Sequence, residues 1–167
     1  ALEQRFGNRI QTFYANQDNL KKCLKKADLV IGAVLVAGAA APKLVSRSDL
    51  LLMKPGSVIV DVAVDQGGCF ETSELTTHQK PTIEKFGVIH YCVPNIPARY
   101  PKTASVSISN ICLPYLLQIA EKGGLENALR YDNGLRNGLY LYRGILTNAA
   151  LAEWYELPFN DINFLIF

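Results

Sequence analysis

Three observations predict an α/β fold with a parallel sheet. Apolar, β-branched runs recur at 28–34 (DLVIGAV), 57–63 (SVIVDVA) and 86–93 (FGVIHYCV); continuous apolar runs of that length are what strands buried on both faces look like. Stretches of helical period stand between them. The connections are brief, and strands alternating with short helices are the pattern of a parallel sheet.

In chain order, 10–14 (IQTFY) reads as a short strand. Asp18 then caps a helix whose Leu20, Cys23, Leu24 and Ala27 fall on one stripe. Lys21, Lys22, Lys25 and Lys26 form the solvated side of that helix. After the strand at 28–34, Ser46 or Ser48 opens a second helix that Pro55-Gly56 ends. From Thr103 to Lys122 runs a long helical pattern carrying Ile108, Ile111, Cys112, Tyr115 and Ile119, closed by Gly123-Gly124. Pro114 inside it predicts a kink in the turn before. The tail predicts a helical turn at 125–130, an irregular segment at 131–144, and a last helix over 147–156 capped by Thr147.

Composition narrows the classes. With 49% hydrophobic residues the chain can build a sizeable core, which argues against disorder. Seventeen basic against 15 acidic residues leave a net charge of +2, too balanced for a nucleic-acid or membrane surface. No apolar run suggests a membrane span, and the opening ALEQRFGN is unlike a signal peptide. Cys23, Cys69, Cys92 and Cys112 form no CxxC pair, which fits reduced thiols in the cytoplasm. Neither they nor His78 and His90 have metal-ligand spacing, so no metal is expected.

A nucleotide-binding α/β domain normally opens with a strand, a G-x-G-x-x-G turn and an acidic residue about 20 positions on. That motif is absent from this sequence. The chain therefore reads as the second half of a doubly wound (Rossmann-like) parallel sheet, and truncation is the favoured explanation. Half a sheet would leave an apolar edge bare, so another chain or strand is expected to cover it.

Ligands in such sheets lie beyond the carboxyl ends of the strands, where three loops stand out. GAVLVAGAAAP (32–42) is small and apolar, suited either to close approach by a flat ligand or to a tight strand–helix connection. VIVDVAVDQGGCFE carries Asp61 and Asp65 out of a buried strand into Gln66-Gly67-Gly68. If the strand stays extended, both carboxylates point to one side. Asp61, the deeper one, suits capping of backbone N–H groups, and Asp65 suits a ligand at the crevice. In HYCVPNIPARYP (90–101), Pro94 and Pro97 stiffen the loop around Asn95, and His90 reads as a satisfied core residue.

Taken together, ADLVIGAVLVAGAAAPKLV, MKPGSVIVDVAVDQGGCFETS, TTHQKP, GVIHYCVPNIP and ICLPYLLQIAEKGG resemble the alanine dehydrogenases in order and spacing. The NAD-binding subunit of proton-translocating transhydrogenase shares parts of the pattern. The resemblance spans nearly the whole chain and is strongest between residues 27 and 124. It implies a cytoplasmic enzyme interconverting L-alanine with pyruvate and ammonia, with NAD as cofactor and hydride passing between the alanine α-carbon and nicotinamide C4. By the same resemblance Asp65 is catalytic. Val34, Leu35, Val62, Ala63, Val64 and Asp65, with Val93, Pro94, Asn95 and Ile96, meet the nicotinamide side of the cofactor. Residues 1–100 then form a partial NAD-binding domain, and 101–167 a connecting helix with a segment returning to a substrate domain. The family forms homo-oligomers, commonly hexamers.

Some positions depart from the family. Glu74 stands where a cofactor-contacting arginine is usual, Ala15 replaces a contacting serine, and Gly138-Leu139-Tyr140 replaces a GLN. Glu74 would repel a phosphate. The family's substrate-binding Arg, Lys and His fall outside these residues, so the 167-residue polypeptide is expected to be inactive by itself. The alternatives are the transhydrogenase subunit and a degenerate binding or assembly module.

Overall fold

A computed structural model describes residues 2–166. The chain divides into two compact units, one of residues up to Leu35 with Ala41–Pro94, the other of Val36–Ala40 with residues from Asn95 onward.

The first unit begins with α1 (Leu2–Phe6) and α2 (Gln17–Leu24). Residues 10–14 between them form no strand; Phe13 and Tyr14 are exposed, and no neighbouring strand among the described residues pairs with this segment. The cap of α2 is Asn16, whose side chain accepts from Asn19 N at 2.8 Å, and not Asp18. Asp18 lies inside the first turn, where its charge favours the helix dipole. β1 (Leu29–Gly32) follows, then α3 (Arg47–Leu50). Ser46 and Asp49 make a reciprocal capping box at the start of α3. β2 (Val58–Asp61), β3 (Thr82–Lys85) and β4 (Val88–Tyr91) complete a sheet ordered β1-β2-β4-β3.

The Rossmann-like α/β expectation holds with one refinement. β1, β2 and β4 are parallel, but β3 runs antiparallel to β4. Phe86 and Gly87, expected inside a strand, are the two-residue turn of that hairpin. Their φ values of 54° and 73° are the positive values a tight hairpin turn of this length requires.

The strands are not buried on both faces within this chain. On one face Ile59, Asp61, Val88 and His90 are fully buried, packed with Leu24, Leu50 and Phe70. The other face presents Leu29 and Ile31, more than half exposed, beside the half-buried Val58, Val60, Ile89 and Tyr91. β1 is also an edge strand. Its outer hydrogen-bonding edge has no strand partner among the described residues.

In the second unit α4 (Pro101–Glu121) is continuous through Pro114 and ends at Gly123-Gly124. Its apolar residues are outside any core: Ile108 is 60% exposed and Ile111 66%. With 21 residues and a mean hydropathy of 1.2, α4 is long and apolar enough to cross a membrane by length and composition, which corrects the expectation that no stretch is. One such helix is weak evidence for a span. α5 (Leu125–Tyr131) buries Ala128 and Leu129. The segment expected to be irregular contains α6 (Asn133–Asn137) and most of a hairpin, β5 (Leu141–Tyr142) with β6 (Ile145–Leu146). α7 (Ala149–Tyr155) is capped by Asn148, whose side chain accepts from Leu151 N at 2.9 Å. Thr147, the expected cap, donates its hydroxyl to Leu139 O instead.

Candidate active site

The buried strand β2 ends at Asp61, and there the extended backbone stops. Residues Val62–Gln66 coil into a 3-10 turn, so the alternation that would put Asp61 and Asp65 on one side does not apply. Asp61 causes the change. Its Oδ1 accepts from Ala63 N at 3.0 Å, which caps the turn, and its Oδ2 accepts from Cys69 N at 3.0 Å. The Ser73 hydroxyl and the Cys69 thiol donate to the same carboxylate. Asp61 is fully buried, and this set of donors offsets the cost of removing a carboxylate from water. Its expected role as a backbone cap is the one it performs.

The glycine pair is required by the same geometry. Both residues have positive φ, 91° at Gly67 and 78° at Gly68. A Cβ at Gly68 would stand 2.6 Å from Asp61 Oδ2 and 2.9 Å from Ser73 Cβ. No side chain fits there.

Asp65 is carried to the opposite outcome. It is exposed and borders two hollows. One, of about 290 Å³, lies between the tip of β1 and the turn after β2, lined by Ala33, Val34, Leu35, Val62, Ala63, Asp65 and Gln66. The other, of about 470 Å³, is lined by Val64, Asp65, Gly67, Ser73, Leu75 and Pro94. The predicted residues Val34, Leu35, Val62, Ala63 and Asp65 are thus brought together around the first, and Val64 and Pro94 join Asp65 at the second. Val93 has no exposed surface, so its side chain is unavailable to a ligand. Asn95 and Ile96 belong to the second unit, where Asn95 holds a left-handed conformation, φ 51°, before the 3-10 turn Ile96–Arg99. Ala33 and Gln66 line the cleft without having been singled out in the sequence. Adjacency to named residues was their only signal.

Burial and ion pairing set the state of the thiols, of His90 and of Glu74. Burial, reinforced by the Asp61 carboxylate, pushes the Cys69 thiol up to about 11. Burial raises Cys92 as well, so neither is a thiolate near neutral pH. Burial holds His90 below the usual histidine value; its ring bonds Thr72 Oγ1 and Val88 O, each at 2.9 Å. It is a satisfied core histidine. Glu74 forms an ion pair with Lys85 at 2.8 Å, which holds its carboxyl below the usual range. The negative charge expected to repel a phosphate therefore has a cation beside it.

Comparison with known proteins places these features in a family. Residues 1–149 match the family described as "Alanine dehydrogenase/PNT, C-terminal domain". The chain belongs to that family. Among its relatives, alanine dehydrogenase of Mycolicibacterium smegmatis is 48% identical over 160 residues, covering 96% of this chain and 43% of the relative. Alanine dehydrogenase of Methanococcus maripaludis is 49% identical over 159 residues, 95% of this chain and 42% of the relative. The chain thus spans less than half the length of these relatives. A solved L-alanine dehydrogenase superposes with a TM-score of 0.78 at 45% identity, covering 93% of this chain and 42% of that one. A transhydrogenase from Sinorhizobium meliloti superposes with a TM-score of 0.55 at 33% identity, covering 61% of this chain and 30% of that one.

Proposed function

We propose that this chain provides the nicotinamide-side part of an NAD-dependent alanine dehydrogenase, which interconverts L-alanine with pyruvate and ammonia. One observation carries the reading: Asp65 is the carboxylate bordering an apolar-walled cleft between the tips of two adjacent parallel strands. Val34, Leu35, Val62 and Ala63 supply walls suited to a flat, largely apolar ring, which is the fit the nicotinamide of NAD needs. NAD, when bound, supplies the acceptor for the substrate's hydride. Asp65 accepts the proton of the water that adds to the substrate imine and returns it as ammonia leaves. Val64 and Pro94 border the ring from the adjoining loop.

The alanine dehydrogenase reading has broader support than the transhydrogenase one, since the match to the former covers 93% of the chain and to the latter 61%. Four free thiols suit a reducing compartment, the cytoplasm. The exposed apolar residues of α4 suit burial in a homo-oligomer, and the hexamer typical of alanine dehydrogenases is the proposed assembly. The 167-residue polypeptide by itself is proposed to be inactive.

The test is Asp65→Asn in the full-length protein. Alanine oxidation should fall by about 1,000-fold in kcat, the scale of a lost acid–base group, with the fold unchanged by circular dichroism. Turnover at the wild-type rate would overturn the assignment.

A further inference from the structure

The loop that bears Asp65 is gripped by two opposite charges. From within, Asp61 collects donors: Ala63 N and Cys69 N, each at 3.0 Å, and the Ser73 hydroxyl. From without, Lys43 collects acceptors, donating from Nζ to Gly67 O, to Gly68 O at 2.9 Å and to Phe70 O at 3.4 Å. The segment bearing Lys43 also runs along the loop by backbone bonds. Ala41 N donates to Gln66 O and Leu44 N to Cys69 O, both at 2.8 Å, and Glu71 N to Val45 O at 2.9 Å. Asp65 stands between the grips, with Ala63 bonded on one side of it and Gly67 on the other.

We propose that Asp61 and Lys43 are positioning residues for Asp65, an anion on the loop's N–H groups and a cation on its carbonyls. This rests on the catalytic assignment of Asp65 above. The chemistry explains why ionised groups are used. A carboxylate offers two acceptor oxygens and no donor, so it serves three donors and a thiol at once. An asparagine would aim an N–H₂ at one of those donors. An ammonium has three protons, matching three carbonyls. The arrangement also separates holding from reacting. Asp61 and Lys43 are engaged by the loop itself, and Asp65 is the carboxylate lining the cleft. Gly68 is what lets the Asp61 side of the grip close, since any Cβ there would collide with the carboxylate.

The test uses the full-length protein with Asp61→Asn, Lys43→Met, Ser73→Ala and Ser73→Thr, measuring kcat, KM for NAD and thermal midpoint. Displacement of a reacting group by about 1 Å is worth about 100-fold, so Asp61→Asn should lose kcat on that scale. Lys43→Met and Ser73→Ala, each removing part of the grip, should lose about 3- to 10-fold in kcat with a smaller change in KM. Ser73→Thr keeps the hydroxyl and should restore the rate. In an Asp65→Glu background, whose carboxylate is already displaced, the Lys43→Met and Ser73→Ala penalties should shrink, because residues acting through one group are not additive. A general loss of structure would give the same penalty in both backgrounds. If Asp61→Asn fails to fold, Lys43→Met and Ser73→Ala decide. Wild-type kcat in both of those, or penalties undiminished in Asp65→Glu, would overturn the proposal while leaving Asp65 in its role. Wild-type turnover in Asp65→Asn would instead overturn the catalytic assignment.

Discussion

The two faces of the β1-β2-β4 sheet are made from alternating residues of the same three strands, and they differ in fate. On one face Ile59, Val88, Asp61 and His90 are shut from water, with each polar group among them hydrogen-bonded. On the other, Leu29 is 55% exposed and Ile31 61%. The closed face carries Asp61 and His90 while the open face is the more apolar in sequence, so hydrophobicity alone does not pick the buried one. The closed face is covered by side chains of this chain, Leu24, Leu50 and Phe70. The open face, like α4, presents apolar surface of a kind that protein contacts cover. Stability of the polypeptide therefore depends on the first face.

The largest effect should come from uncovering the closed face. Phe70→Ala removes a fully buried ring, and urea unfolding should report a loss of about 3–5 kcal/mol. A loss below about 1 kcal/mol would mean that the face collapses to refill the space. An intermediate effect should follow from pH. The folded-state value of His90 lies below its ordinary 6.5, with burial the main cause, so below 6.5 the unfolded chain binds more protons than the folded one. The stability held by neutral His90 is complete above 6.5 and is lost as pH falls from there toward the folded value. The depressed carboxyls of Asp49 and Glu74 lose their contributions only from about 4.5 downward. The urea midpoint should thus decline between these limits, and a flat profile would contradict the burial of His90. The smallest effect belongs to the open surfaces. Ile31→Thr and Leu116→Gln should each change the stability of the 167-residue polypeptide by less than about 0.5 kcal/mol. In the full-length protein the same substitutions should lower the molar mass measured by light scattering or the thermal midpoint. No change in either would mean that these surfaces remain in water.

Much of the cleft's lining is legible in the sequence. The β-branched run into Asp61 predicted β2, and the adjoining glycine pair predicted the turn. Val34, Leu35, Val62, Ala63 and Asp65 do share one cleft. What escaped was the turn of the backbone between the two carboxylates. Period-two reasoning assumed an extended chain, but the Asp61 side chain bonds Ala63 N and turns the backbone two residues later. Lys43 escaped because its partners are carbonyls of a loop 24 to 27 positions away. The hairpin at Phe86-Gly87 was misread as strand because a phenylalanine at positive φ is rarely expected.

By itself, then, the amino-acid order determined the three parallel strands, the helix opened by Ser46 and a carboxylate at the end of β2, since each depends on neighbours a few positions apart. Only the tertiary structure decided which face of the sheet is closed, that β3 turns back against β4, and that Asp61 is enclosed while Asp65 meets solvent. Those outcomes depend on groups brought together from distant positions, and the energy of a buried charge is set by the donors that surround it rather than by its place in the chain.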